Sequence, residues 1–139
     1  MSIDAIEGGC NCGAIRYALE AEPLAVAVCH CSRCRRQSGS AFSVNLVMKE
    51  ADVAMKGVLA TFDDPESESG LPVRREFCGT CGSPIRSIAT AQPGIVIIKA
   101  GTLDEPAKVA PGLHVWTCSA LPWFDIPDAM PRFERNPGG

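Results

Sequence analysis

Seven of the eight cysteines fall into three tight clusters. Cys10 and Cys12 lie in GGCNCG, Cys29, Cys31 and Cys34 in CHCSRCRR, and Cys78 and Cys81 in FCGTCG. These are the spacings of metal ligands. Two close thiolate pairs brought together by a fold commonly close a tetrahedral zinc site, whereas a three-ligand site leaves one coordination position free for chemistry. Seven ligands therefore divide into one closed set of four and one open set of three. At an open zinc a substrate thiol is the obvious visitor, because the ion binds it and deprotonates it; the ion also polarises a carbonyl oxygen. Together these roles describe addition of a thiol to an aldehyde, or the reverse elimination, with a C–S bond made or broken. Three thiolates donate heavily to such an ion, which blunts its Lewis acidity and favours exchange.

Cys10, Cys12, Cys78 and Cys81 form the closed, structural set, with glycines at positions 8, 9, 13, 79 and 82 permitting tight turns around them. Four reduced core thiols are the alternative, but these cysteines occur in turn sequences rather than on apolar strand faces. Cys29, Cys31 and Cys34 form the open set. His30 lies between two ligands, so on an extended backbone it points away from their shared metal and is read as a packing residue. Cys118 and His114 are the candidates for completing this set, in which case its metal would be merely structural. Arg33, Arg35 and Arg36 surround the three cysteines. They compensate the charge of a trithiolate zinc, or clamp a substrate carboxylate in bidentate fashion; the two readings are compatible.

The elements that must position these groups are mainly strands. Ile15, Tyr17 and Leu19 alternate with polar or small residues, and Leu24, Val26 and Val28 continue such a pattern into Cys29. Phe42, Val44, Leu46 and Met48 repeat it, IVII at 95–98 reads as a strand covered on both faces, and 114–118 reads as a last strand. Only a helical turn or two is expected, at 31–38. DDPESESGLP (63–72) reads as a solvated surface connection. Beyond Pro122 repeated prolines exclude long regular structure, Trp123, Phe124 and Phe133 are expected to pack on the body, and only the final NPGG reads as free.

The 139 residues suit a single domain, with a core spanning about 7–133 and a flexible C-terminal end. The N-terminus shows no basic segment followed by an apolar run, and no stretch has the roughly 20 apolar residues needed to cross a bilayer. A cytoplasmic location follows as the expectation, where clustered cysteines bind metal rather than form disulfides. The net charge of −3 argues against a nucleic-acid partner, which requires clustered positive charge. No membrane partner is expected, and oligomeric state is not legible.

The segments GGCNCGAIRY, CHCSRCRRQSGS, FCGTCGSPI, AGTLDEP and HVW…PWFDIPDAMPRF occur in this order from about Glu7 to Phe133. In this the chain resembles the glutathione-dependent formaldehyde-activating enzyme family, the zinc-domain group that also includes centromere protein V. The resemblance implies an all-β fold of the Mss4-like, β-tent type, built from small antiparallel sheets around zinc sites. It implies two Zn²⁺ per chain, one structural at Cys10, Cys12, Cys78 and Cys81, and one open at Cys29, Cys31 and Cys34. The implied activity is that of a carbon–sulfur lyase, condensing formaldehyde with glutathione to S-(hydroxymethyl)glutathione. Its partners would be a glutathione-like thiol and an aldehyde, and its catalytic set Cys29, Cys31 and Cys34 with Arg35 and Arg36. One departure is CSALPW (118–123), where Ala120 stands at a place expected to be basic. The competing function class is a non-catalytic, zinc-stabilised binding module for a protein or a small thiol.

Overall fold

The computed structural model describes residues 6–65 and 70–137. Ten strands and one short helix follow one another: β1 (Ile6–Gly9), β2 (Arg16–Leu19), β3 (Ala25–Cys29), α1 (Ser32–Ser38), β4 (Ser43–Lys49), β5 (Val53–Lys56), β6 (Leu59–Asp64), β7 (Val73–Cys78), β8 (Pro84–Ala89), β9 (Ile95–Lys99) and β10 (Leu113–Val115). The fold is all-β, as the alternating apolar residues require. One sheet has three strands in the order β1-β2-β5, and the other has seven in the order β10-β3-β4-β9-β8-β7-β6. The larger sheet is not purely antiparallel. β10 runs parallel to β3, with Val115 opposite Cys29.

The main core draws on both sheets. Tyr17 and Leu19 of β2 meet Leu46 and Met48 of β4, Ile85 of β8, and Val96 and Ile98 of β9, all fully buried. A second, smaller cluster gathers Ala27, Cys29, Cys31, Val115 and Trp116, with Cys34, Leu113 and Phe133 packed against it. The three-cysteine set is thus embedded in apolar packing at one end of the larger sheet.

Several expectations need correction. β6 continues to Asp64, which is buried, so the 63–72 connection starts later than its acidic composition suggests; residues 66–69 lie outside the described part. The last strand stops at Val115 because Trp116 adopts a left-handed backbone (φ 56°), and Thr117–Ser119 form one 3-10 turn. Trp123 does not pack on the body; it is 68% exposed. Phe124 and Phe133 do pack, Phe124 on a ring cluster with His30, Phe42 and His114. Within the final NPGG, Asn136 is tied down, its Oδ1 accepting from Trp116 Nε1 at 3.0 Å. The backbone of residues 131–135 forms a strap along β10: the N–H groups of His114, Trp116 and Thr117 donate to the carbonyls of Pro131, Arg135 and Phe133.

β7 carries three consecutive charged residues, VRREFC, yet sits between two strands. Buried charge is tolerated only where it is paired. Glu76 accepts from Arg86 Nε of β8 at 2.6 Å, and Arg75 pairs with Asp64 of β6 at 3.3 Å.

Leu46 is fully buried in the main core, so Leu46→Ala should destabilise the protein by about 3 kcal/mol in urea denaturation. Val58→Ala, at a position 92% exposed, should leave the midpoint unchanged. Tyr17 is the single tyrosine and its hydroxyl bonds Thr102 Oγ1 at 2.6 Å. Burial pushes its phenol up to about 12. An acid whose folded pKa is raised contributes stability below its unfolded value, near 10, and loses it as pH climbs towards the folded one. Tyrosinate absorbance should therefore stay flat through pH 10 in the folded protein. Stability should fall between about pH 10 and pH 12, with that part of the slope absent in Tyr17→Phe.

Candidate functional site

Each cysteine cluster is held by the backbone that carries it. In the first, Ile15 N–H donates to Cys10 Sγ at 3.2 Å; in the third, Cys81 N–H donates to Cys78 Sγ at 3.5 Å. Gly13 and Gly82 follow their cysteines with φ of 82° and 80°, a turn conformation that side-chain-bearing residues rarely adopt. Cys10 lies just after β1 and Cys78 ends β7, so the two halves of this set come from different sheets. Cys10 and Cys12 sulfurs are 3.6 Å apart, Cys12 and Cys78 sulfurs 3.7 Å, and all four lie within 4.8 Å of one another. Zn–S bonds of about 2.3 Å in a tetrahedron place sulfurs about 3.8 Å apart, so this donor set fits one ion. Cys81 is lowered to about 5, first by the Ser83 hydroxyl.

The second cluster begins at the end of β3 and runs into α1. Cys31 caps the helix, its Sγ accepting from Cys34 N–H at 3.4 Å, and the helix closes at Gly39, whose N–H donates to the Arg35 and Arg36 carbonyls. Cys29, Cys31 and Cys34 sulfurs lie within 4.8 Å of one another, and no fourth ligand joins them among the described residues. The two residues considered as a fourth ligand are engaged or directed elsewhere. His114 Nδ1 bonds His30 Nε2 at 2.9 Å inside the ring cluster, and Cys118 is exposed, with Ser119 Oγ 3.9 Å from its sulfur. His30, as expected, is a buried packing residue. Burial lowers both imidazoles, so the pair is neutral at ordinary pH.

The electrostatics of this cluster come from residues that its spacing does not reveal. Arg75 of β7 is buried and places Nη1 3.7 Å from Cys34 Sγ. Lys99, at the end of β9, is also buried and donates to Ser43 Oγ at 3.1 Å and Asn45 Oδ1 at 3.4 Å. Cys34 is lowered to about 2, first by hydrogen bonds with Cys29 and Cys31, then by Lys99 and Arg75. Cys29 is raised, chiefly by its bonds with Cys31 and Cys34. The first negative charge of the cluster therefore rests on Cys34. Desolvation pushes Lys99 down, and the Cys34 thiolate opposes that shift.

Asp64 organises the cations. Its carboxylate takes Arg33 of the helix at 2.6 Å on one oxygen and Arg75 at 3.3 Å on the other. Arg33 is thus drawn into a fixed ion pair. Arg35 Nη1 reaches the Ser119 carbonyl at 3.5 Å, whereas Arg36 lines a cavity beside the helix. Among the clues missed, Lys99 had one signal: a lysine directly after the apolar run IVII. Arg75 and Asp64 had none, since both sit in charged stretches that look like surface.

An all-β scaffold with two cysteine clusters, each of which could hold a metal ion, defines a small β protein with two candidate metal sites. Residues 5–119 match the model of the glutathione-dependent formaldehyde-activating enzyme family, and the chain belongs to that family. No curated protein matches the chain. A crystal structure of a Rhodobacter sphaeroides protein is similar in fold, with a TM-score of 0.54 and 18% identity over 91% of this chain and 98% of that one.

The two clusters should respond differently to loss of a ligand. Cys81→Ser should abolish cooperative thermal unfolding, because metal binding at a cross-sheet site is folding free energy. Cys34→Ser should lose one equivalent of metal by elemental analysis yet melt cooperatively, since its ligands close only a short loop. Asp64→Asn removes the carboxylate that pairs buried Arg75 with Arg33, leaving Arg75 only the Cys34 sulfur, and should destabilise the protein by about 3 kcal/mol in chemical denaturation.

Proposed function

We propose that this chain is a zinc-dependent carbon–sulfur lyase acting on thiol–aldehyde adducts, one domain with two Zn²⁺. The observation that carries the reading is the trithiol set without a fourth ligand among the described residues, backed by two buried cations. Cys10, Cys12, Cys78 and Cys81 would hold the structural ion, and Cys29, Cys31 and Cys34 the open one. Bound there, zinc would supply a coordination position at which a thiol is favoured and deprotonated.

The remaining roles fall to side chains of the chain itself. Arg75 and Lys99 offset the negative charge that accumulates when a further sulfur approaches three thiolates. Val115 and Trp116, buried in one cluster with Cys29 and Cys31, keep water from one flank of the set. Arg36 offers a guanidinium to a substrate carboxylate, and Arg35 holds the Ser119 carbonyl and with it the turn after Trp116. In the reaction the thiol sulfur bonds to the aldehyde carbon, and the carbonyl oxygen ends as a hydroxyl carrying the proton that the thiol gave up. The elimination runs the same bonds in reverse. The family to which the chain belongs supports glutathione and formaldehyde as the first pair to test.

The test is thiol titration of the cobalt-substituted protein, paired with exchange spectroscopy of formaldehyde and glutathione. A shifted ligand-field spectrum and enzyme-dependent exchange, both lost in Cys34→Ser, are the expected results. Cobalt held by Cys29, Cys31 and Cys34 that shows a fourth protein ligand and ignores thiols would sink the proposal in favour of a non-catalytic module.

A further inference from the structure

A cavity of about 370 Å³ opens beside the three-cysteine set, between α1 and strands β6 to β8. That is the size of small-molecule sites, which are mostly apolar with a few placed polar groups. Its walls include Phe62, Phe77 and Pro84, and its polar groups include Arg36 and Gln37 of the helix. Arg75 also lines it, and Nη1 of the same guanidinium lies 3.7 Å from Cys34 Sγ, so one side chain links the cavity to the thiol cluster.

The helix fixes the order of these groups. At about 100° per residue, Cys34, Gln37, Arg33 and Arg36 follow one another around one side of α1, while Arg35 falls on the other. Arg33 is committed to Asp64. Arg36 is exposed, and no ion pair engages it among the described residues. Gln37 has a buried Oε1 without a hydrogen-bond partner. Opposite them, Phe62 is 53% exposed on β6, although a large apolar side chain on a strand normally finds cover. From the cysteines outwards the site therefore reads as sulfur chemistry, an amide, aromatic walls, then a guanidinium.

We infer that this cavity is the substrate-specificity site, and that it takes a mercapto-carboxylate whose body between sulfur and carboxylate is apolar. This rests on the reading of the open set as a thiol site and names the kind of thiol. The sulfur enters beside Cys34, the apolar body lies against Phe62 and Phe77, and the carboxylate pairs with Arg36. Glutathione, polar along its whole length, leaves the aromatic walls without a partner.

Calorimetric titration of the metal-loaded protein with 4-mercaptophenylacetate, its methyl ester, phenylacetate and glutathione separates the parts. 4-Mercaptophenylacetate should bind more tightly than the other three. Arg36→Gln should weaken it by about tenfold and leave the ester unaffected, and Phe62→Ala should weaken acid and ester alike by about fivefold. Both positions are exposed, so both variants should fold, and Arg74→Gln, a surface arginine paired with Asp63 outside this cavity, is the charge control. Glutathione binding as tightly as 4-mercaptophenylacetate, or tight binding indifferent to Arg36→Gln and Phe62→Ala, overturns the inference while leaving the thiol site standing. Binding of phenylacetate as tight as that of its thiol, with the same dependence on Arg36, overturns the thiol reading while upholding the cavity as a carboxylate site.

Discussion

Three sulfurs crowded into an apolar cluster repel one another as soon as more than one is ionised. At about 4 Å and an effective dielectric near 20, each pair of thiolates costs about 4 kcal/mol. Much of the larger sheet is arranged around that constraint. Arg75 and Lys99 are brought in as buried positive charge from two different strands, and each then needs partners of its own. Lys99 finds Ser43 and Asn45, and Arg75 finds Asp64. Asp64 in turn reaches back to Arg33, on the same helix that carries Cys34. The chain of compensation closes on itself, and in closing it pins the helix to the sheet.

The two cysteine sets answer different mechanical needs. The first spans 66 residues between Cys12 and Cys78 and joins a three-stranded to a seven-stranded sheet. Closing so long a loop removes much more freedom from the unfolded chain than closing the five-residue span from Cys29 to Cys34. A ligand set that staples sheets must be saturated and inert. One that staples almost nothing is free to exchange partners.

What could be read from the sequence was what is local. The cysteine spacings, the alternation in β2 and β4 and the apolar run of β9 are short-range patterns that the structure keeps; β3 is also a strand, but Leu24, read as part of its inward face, is 58% exposed. β6, β7 and β8 were not legible, because their buried positions include Asp64, Arg75 and Glu76, residues that look like surface until their cross-strand partners are known. The same cause hid the cations around Cys34. Pairing across a sheet leaves no periodic mark on either strand. Trp123 erred in the opposite direction: a large apolar ring suggested burial, and nothing in the composition separated it from its packed neighbour Phe124.

The parallel pairing of β10 with β3 has a consequence for how the molecule is made. His30 and His114 are 84 residues apart, so at 5–20 residues per second about 4–17 s pass between the synthesis of the two. In that interval the three-cysteine loop exists without the packing of Val115 and Trp116. Thiolates bind most thiophilic divalent ions with affinities that rise across the first transition row. An ion taken up by the three thiols in that interval would be chosen by supply as well as by affinity, and exchange afterwards would have to pass the packing of Val115 and Trp116.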